Sequence, residues 1–274
     1  MAKQRLDLLL VERELCTSRQ QAQRYIRAGE VRVNQQLVDK PGTEIDVAAT
    51  IEMQPKAPYV SRGGEKLAKA LASFAIQVTD RVCLDGGIST GGFTDCLLQA
   101  GAAQVYGVDV GYGQVAWSLR NDPRVNLLER TNLRHLQPAD LYPPTAPWPT
   151  LGVVDVSFIS LDKVLPALQR LVAPPKELIL LVKPQFEVGR AKVGKKGVVR
   201  SPQDQAAAIQ SVLDAAVALN WQPYGLTWSP LTGPAGNIEY LLWLAEPNQI
   251  TSEPLKLTGK DIGAIAQAAK QALT

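Results

Sequence analysis

Apolar residues fall into two rhythms along this chain. From residue 80 onward, apolar runs of three to six residues alternate with longer stretches in which apolar positions recur every three or four. The short runs predict strands at 82–84, 105–108, 125–128, 151–156, 178–182, 225–228 and 240–244. The longer stretches predict helices, among them 161–172 and 203–219. Strands alternating with helices predict a parallel sheet covered on both faces, an α/β Rossmann-like domain. Ligands of such sheets bind beyond the C-terminal ends of the strands. Before residue 55 the pattern is more compact. Leu6, Leu8, Leu9, Leu10 and Leu15 predict a short helix. Ser18, with Gln21 three residues on, makes a capping-box pattern for a second helix. Its apolar face holds Ala22, Tyr25 and Ile26, and Gly29 is its natural stop. Val31 and Val33 alternate with polar residues and Asn34 opens a turn, so small strands follow. The stretch 53–60, MQPKAPYV, has two prolines and no hydrophobic period. The predicted division is a small α+β domain at 1–55, a linker at 56–60 and the α/β domain at 61–274.

Composition changes this picture only locally. A chain of 274 residues with 46% hydrophobic positions can build one or two globular cores. The formal net charge of +3 creates no global basic field, so any nucleic-acid surface must be concentrated. Up to Asn34 there are seven basic residues (Lys3, Arg5, Arg13, Arg19, Arg24, Arg27 and Arg32) against four acidic ones (Asp7, Glu12, Glu14 and Glu30). Arg19, Arg24 and Arg27 share much of one helix face. Cys16, Cys83 and Cys96 form no CxxC pair and suit a reducing compartment, so a cytoplasmic location is expected. His135 is the sole histidine, and no metal site is expected. The N-terminal apolar run at 8–11 lies between Asp7 and Glu12, too short for an export signal. No run reaches the roughly 20 apolar residues that a membrane helix needs.

The strongest local motif is LDGGISTGGFTDCLLQAG, residues 84–101. A strand ends at Asp85, a turn of Gly86, Gly87, Ser89, Thr90, Gly91 and Gly92 follows, and a helix begins near Phe93. Glycines there let the backbone approach a ligand closely. The turn lacks the GK[ST] of a phosphate-cradling loop and the GxGxxG of a dinucleotide fold. Asp109 should end the next strand, 24 residues after Asp85, where an acidic residue can accept hydrogen bonds from ribose hydroxyls. Two acidic strand ends around such a turn fit S-adenosylmethionine better than NAD. Asn132, after the third strand, is a candidate for an adenine-contacting loop. The same alternation puts Asp155 and Lys183 at later strand ends, Glu239 at the start of the last strand, and Lys66 on a helix leading into the sheet.

The segment RLDLLLVERELCTSRQQAQRYIRAGEVRVN resembles the ribosomal protein S-four-like RNA-binding domain, or alpha-L motif, over about residues 3–50. That resemblance implies that Lys3, Arg5, Arg19, Arg24 and Arg27 face structured RNA. The order Lys66, Asp155, Lys183, Glu239 resembles the K-D-K-E set of FtsJ-type ribose 2′-O-methyltransferases. With SRGGEKL, STGGFTD, DVGYGQ, NDPRV, DVSFISL and KPQFEVG, the resemblance narrows to the TlyA family, over about residues 3–245. It implies S-adenosylmethionine-dependent methylation of cytidine 2′-hydroxyls in 16S or 23S ribosomal RNA, within ribosomal subunits. Lys183 would touch the 2′-hydroxyl, its ammonium between Asp155 and Glu239, while Lys66 adds like charge or holds a phosphate. A lysine serves as a base only where its surroundings disfavour the ammonium. Arg62 and the basic loop of Arg190, Lys192, Lys195 and Lys196, expected to be mobile through its glycines, are further RNA-contact candidates. Three other readings compete: an amino-methyltransferase, a membrane-active cytolysin suggested by the family's older hemolysin label, and an inactive ribosome-assembly factor. The first commonly carries an N/D-P-P-Y/F loop where this chain has DVSF.

Overall fold

A computed structural model of the chain describes residues 2–53, 57–248 and 250–273. The chain divides into two compact units between Ala57 and Pro58. Residues 54–56, which include Lys56 of the expected linker, lie outside the described residues.

The N-terminal unit holds β1 (Lys3–Arg5), α1 (Leu6–Glu12), α2 (Arg19–Arg27), β2 (Val31–Val33), β3 (Gln36–Leu37), β4 (Glu44–Asp46) and β5 (Ile51–Met53). β1 pairs antiparallel with β4, and β2 is the middle of a β3-β2-β5 sheet. Leu6, Leu10, Ala22, Ile26, Val31 and Val33 form the core, but Leu8 and Leu15 are exposed. α1 ends at Glu12, so Leu15 belongs to the turn after it. Ser18 Oγ caps α2 by accepting from Gln21 N at 3.2 Å. The return bond is displaced by one residue: Gln21 Oε1 accepts from Thr17 N at 2.7 Å rather than from Ser18. Asn34 and Gln35 both have positive φ, which gives the β2–β3 hairpin the turn that matches strand twist.

The larger unit contains α3 (Gly63–Phe74), β6 (Val82–Gly86), α4 (Gly92–Gln99), β7 (Gln104–Val108), α5 (Trp117–Arg120), β8 (Val125–Leu128), α6 (Pro138–Leu141), β9 (Leu151–Val154), α7 (Leu165–Leu171), β10 (Glu177–Val182), α8 (Pro184–Glu187), α9 (Pro202–Val217), β11 (Gln222–Trp228), β12 (Tyr240–Ala245) and α10 (Gly259–Leu273). Seven strands run in the order β11-β12-β10-β9-β6-β7-β8. The pairs from β10 to β8 are parallel, as expected. β12 is antiparallel to both β10 and β11, so the sheet is mixed rather than parallel throughout. The reason is the connection: residues 229–239 carry no helix, and a short link can only return the chain as an antiparallel neighbour.

Side chains alternate across the sheet. Leu178, Leu180 and Val182 of β10 join one core layer with α7, α9 and α10, and Ile179 and Leu181 join the other with α3 and α4. A strand buried on both faces reads as a continuous apolar run, and LILLV after Glu177 does. Each fully buried leucine contributes about 1.5–3 kcal/mol relative to exposure. These layers therefore fix where the polar strand ends emerge. Pairing of β9 stops at Val154, two residues short of the expected end, and Asp155 leaves the sheet at its C-terminal edge.

Candidate functional site

The site lies beyond the C-terminal ends of β6, β7, β9 and β10. The turn after β6 is kept tight by contacts within the protein. Gly87 has φ +89°, and a Cβ there would sit 2.6 Å from the Asp155 carbonyl oxygen. At Gly92 a Cβ would meet Ser61 Oγ at 2.3 Å. These two glycines allow close protein packing, and both also line a cleft beside the turn. Gly86 and Gly91 are buried in the same turn, Phe93 is buried in the first turn of α4, and Ser89 and Thr90 are exposed.

Three carboxylates gather around this turn. Asp85 is fully buried, and its Oδ2 accepts from the Thr94 hydroxyl at 2.6 Å. Its equally buried Oδ1 has no hydrogen-bond partner. Burial pushes the Asp85 carboxyl up to about 7, opposed by the Thr94 hydrogen bond and reinforced by the charges of Asp155 and Asp109. Asp109 Oδ2 accepts from Ser89 N and its Oδ1 from Gly111 N, both at 2.7 Å, which ties the second loop to the first. Glu129 Oε1 adds another clamp, accepting from Gly113 N at 2.7 Å and from Arg120 at 2.6 Å. A cleft of about 690 Å³ opens here, lined among others by Ser89, Asp109, Gln114, Asn132, Asp155 and Ser157. Asn132 Oδ1 accepts from Arg134 N at 3.0 Å and so caps the turn at 133–135. An acidic, concave site with no cation among Asp85's own partners suits a cationic ligand that also carries ribose hydroxyls.

A second, smaller cleft shares Gly87, Ser89 and Asp155 with the first and is also lined by Ser61, Arg62, Lys66 and Thr232. Beside this cleft Lys66 of α3 and the strand-edge residues Asp155, Lys183 and Glu239 form two ion pairs. Lys183 Nζ lies 2.6 Å from Asp155 Oδ1 and donates to Ser157 Oγ at 2.8 Å. Lys66 Nζ lies 2.5 Å from Glu239 Oε2. This corrects the expected arrangement of Lys183 between Asp155 and Glu239: Glu239 holds Lys66 instead. The reason is topological. β12 runs against β10, so Glu239 precedes its strand yet arrives at the same sheet edge. Gly233 follows closely, since a Cβ there would lie 2.7 Å from Glu239 Oε1. Lys66, Lys183 and Glu239 are all buried, and Asp155 is partly open.

Sequence reasoning missed Thr94, Ser157, Phe158 and Glu187. Ser157 and Phe158 sat in the quoted DVSF, yet nothing in an alternating pattern marks a hydroxyl as a lysine partner. Phe158 is 92% exposed, has φ +64°, and meets the Phe186 ring at 5.1 Å between centroids.

In the N-terminal unit, buried Asp7 gathers two candidate arginines. It accepts from Arg5 Nε and Nη2 at 3.0 and 2.9 Å, from Arg19 Nε at 2.9 Å and from Gln23 at 2.8 Å. The Arg19 Nη groups stay off Asp7, and both arginine side chains remain about half exposed, at 44% and 52%. Lys3, Arg24 and Arg27 are exposed, with Arg24 over the Tyr25 ring at 5.3 Å. In the larger unit, Arg62, Arg190, Lys192, Lys195 and Lys196 are exposed, and Lys192 pairs with Asp204 at 3.0 Å. The end of this basic segment is anchored rather than loose. Asn237 donates to Gly197 O and accepts from Val199 N, and Gln205 donates to Val199 O. Among the described residues no helix is long and apolar enough to cross a membrane.

Comparison with known proteins agrees with this division. Residues 59–246 match the FtsJ-like methyltransferase family, and residues 4–51 match the S4 domain. The chain is 50% identical to the 16S/23S rRNA (cytidine-2′-O)-methyltransferase TlyA of Mycobacterium tuberculosis over 88% of this chain and 89% of that protein. It is 47% identical to YqxC of Bacillus subtilis over 99% of this chain and 95% of its relative. A solved structure from Streptococcus thermophilus, described as a hemolysin, superposes with a TM-score of 0.74 at 40% identity, covering 99% of this chain and 97% of that one. With an S4 domain joined to an FtsJ-like methyltransferase domain, and with relatives at this identity over most of their length, the chain belongs to the TlyA family of methyltransferases.

Proposed function

We propose that this protein transfers a methyl group from S-adenosylmethionine to a cytidine ribose 2′-hydroxyl of 16S or 23S ribosomal RNA. The observation that carries the reading is the pairing of buried Lys183 with Asp155, which lines both clefts, and with Ser157, which lines the larger. The larger cleft would hold the cofactor. Asp109, fixed by two backbone amides, would face ribose hydroxyls, Asn132 the adenine edge, and the acidic set of Asp85, Asp109 and Asp155 the positive charge. When bound, S-adenosylmethionine supplies a methyl carbon already activated by its sulfonium. The remaining work falls to the protein, because a ribose hydroxyl is a poor nucleophile that must be aligned and relieved of a proton.

Lys183 Nζ would hold the 2′-oxygen in line and hand its proton on to the paired Asp155 carboxylate. Asp155 and Ser157 fix the direction of that nitrogen. Glu239 neutralises and orients Lys66, which lines the smaller cleft beside Arg62 and would hold the RNA phosphate next to the reacting ribose. Lys3, Arg5, Arg19, Arg24, Arg27, Arg190, Lys192, Lys195 and Lys196 would supply phosphate contacts, the main source of RNA affinity. Its partner would be ribosomal RNA within ribosomal subunits, and its place the cytoplasm, which suits three free cysteines. No metal enters the scheme.

The test is transfer of tritiated methyl from S-adenosylmethionine to purified ribosomal subunits. Incorporation into ribosomal RNA is expected. Incorporation into ribosomal protein, or none with cofactor bound, would overturn the reading.

A further inference from the structure

Three residues after β10 lace that segment to the loop after β9. Lys183 meets Asp155 and Ser157, at 2.6 and 2.8 Å. The rings of Phe186 and Phe158 meet at 5.1 Å. Glu187 accepts from the Ser160 hydroxyl at 2.5 Å and from Leu161 N at 3.0 Å. The contacts run in step along both segments, from the reacting pair to Glu187. Residues 155–160 carry no helix or strand, so side chains must do much of the work of holding them. Phe158 sits at φ +64°, a conformation a bulky residue adopts only where its surroundings impose it. Burial pushes the Glu187 carboxyl up, with the Ser160 and Leu161 hydrogen bonds opposing.

We propose that Glu187 is a positioning residue whose carboxylate, by clamping Ser160 and Leu161, holds the 155–161 loop so that Asp155 and Ser157 stay on Lys183. It touches neither cofactor nor ribose in this scheme. The proposal rests on the methyl-transfer reading given above. A loop free to relax would move Asp155 and Ser157 by fractions of an ångström, and misplacement on that scale costs turnover rather than binding.

The experiment uses the full-length chain and three variants, Glu187→Ala, Glu187→Gln and Ser160→Ala. Glu187→Ala should lower kcat roughly 10- to 100-fold with the KM for ribosomal subunits and the Kd for S-adenosylmethionine changed less than about threefold. Glu187→Gln keeps an acceptor for one of the two donors and should recover part of the loss. Ser160→Ala removes one rung and should cost less, and added to Glu187→Ala it should cost less than its separate effect. A second readout is independent of turnover: amide hydrogen exchange over 155–161 should quicken in Glu187→Ala while exchange over 82–92 stays unchanged. Wild-type kcat in folded Glu187→Ala, or unchanged exchange at 155–161, overturns the proposal. If Glu187→Ala does not fold, Glu187→Gln and Ser160→Ala decide by the same criteria. Wild-type chain that transfers no methyl to RNA sinks the methyl-transfer reading instead, and the exchange arm still shows whether Glu187 fixes the loop.

Discussion

Two buried carboxylates, one in each unit, are treated in opposite ways. Asp7 lies under the arginine face of the N-terminal unit and receives four hydrogen bonds, three of them from guanidinium groups. The Arg5 guanidinium beside it holds its carboxyl far below the usual range, against the effect of burial. Asp85 lies under the glycine turn of the larger unit, with a threonine hydroxyl on one oxygen and no hydrogen-bond partner on the other. Its carboxyl is pushed up to about 7. A buried charge that the protein neutralises itself is architecture: it orients Arg5 and Arg19. A buried carboxyl with no cation among its hydrogen-bond partners, close to Asp109 and Asp155, is compatible with a cationic ligand in the neighbouring cleft.

The largest effect is expected where a buried charge meets the reacting atom. Lys183→Ala should lower turnover by ~10²–10⁴-fold, the usual worth of positioned acid–base help, while cofactor and ribosome binding stay nearly intact. Lys183→Arg should fail as well, because arginine stays charged and its fork cannot reproduce a point contact. Single-turnover rates alongside calorimetry check both.

Asp85→Asn comes next. Removing that charge should weaken S-adenosylmethionine binding roughly 10- to 100-fold, as expected for a charge several ångströms from a cation in a partly buried site. Its effect on folding should have the other sign. A carboxyl whose folded pKa is raised stabilises the fold below its ordinary range, and that stability is lost as pH rises through about 7. The unliganded wild type should therefore lose thermal stability between about pH 4 and 7. The asparagine variant should not, and bound cofactor should restore the wild type. Melting curves across pH, with and without S-adenosylmethionine, read this out.

Asp7→Asn reverses the pattern. It should destabilise the N-terminal unit by about 1–3 kcal/mol, a figure held down by the half-exposed arginines, and leave cofactor affinity unchanged. The lowered carboxyl of Asp7 stabilises the fold above the ordinary carboxylate range, and that contribution is lost as pH falls through its own depressed value. Chemical denaturation at pH 7 and pH 3 should show the difference between variant and wild type shrinking in acid. The smallest effect is Arg19→Ala. Losing one phosphate contact should reduce the slope of log affinity for RNA against log salt by about one, without changing turnover at saturation.

Much of this arrangement was legible in the sequence because it follows local rules. The apolar runs located all seven strands of the main sheet, and Ser18, Gly29 and the glycine turn punctuated the chain where the elements change. What was not legible depends on partners far apart in the chain. Lys66 and Glu239 are 173 residues apart, and only the reversed strand β12 brings them together. β1 and β4 are three residues each, too short for any period to show. Asp7 entered the reading only as an acid in a charge count and as the flank of an apolar run, because no spacing rule says which arginines a buried carboxylate will gather. Thr94 and Glu187 were hidden for the same reason: a hydroxyl or carboxylate acquires its role from the loop opposite.

The central claim is that the Lys183–Asp155 pair acts on a ribose hydroxyl. The most direct measurement is the position of the transferred methyl, read by nucleoside mass spectrometry of ribosomal RNA treated with wild type and with Lys183→Ala, together with alkaline hydrolysis at the modified linkage. The account predicts 2′-O-methylcytidine, an alkali-resistant linkage at that nucleotide, and loss of both in the variant. A methyl on a base carbon or nitrogen, or undiminished 2′-O-methylation by Lys183→Ala, would contradict it.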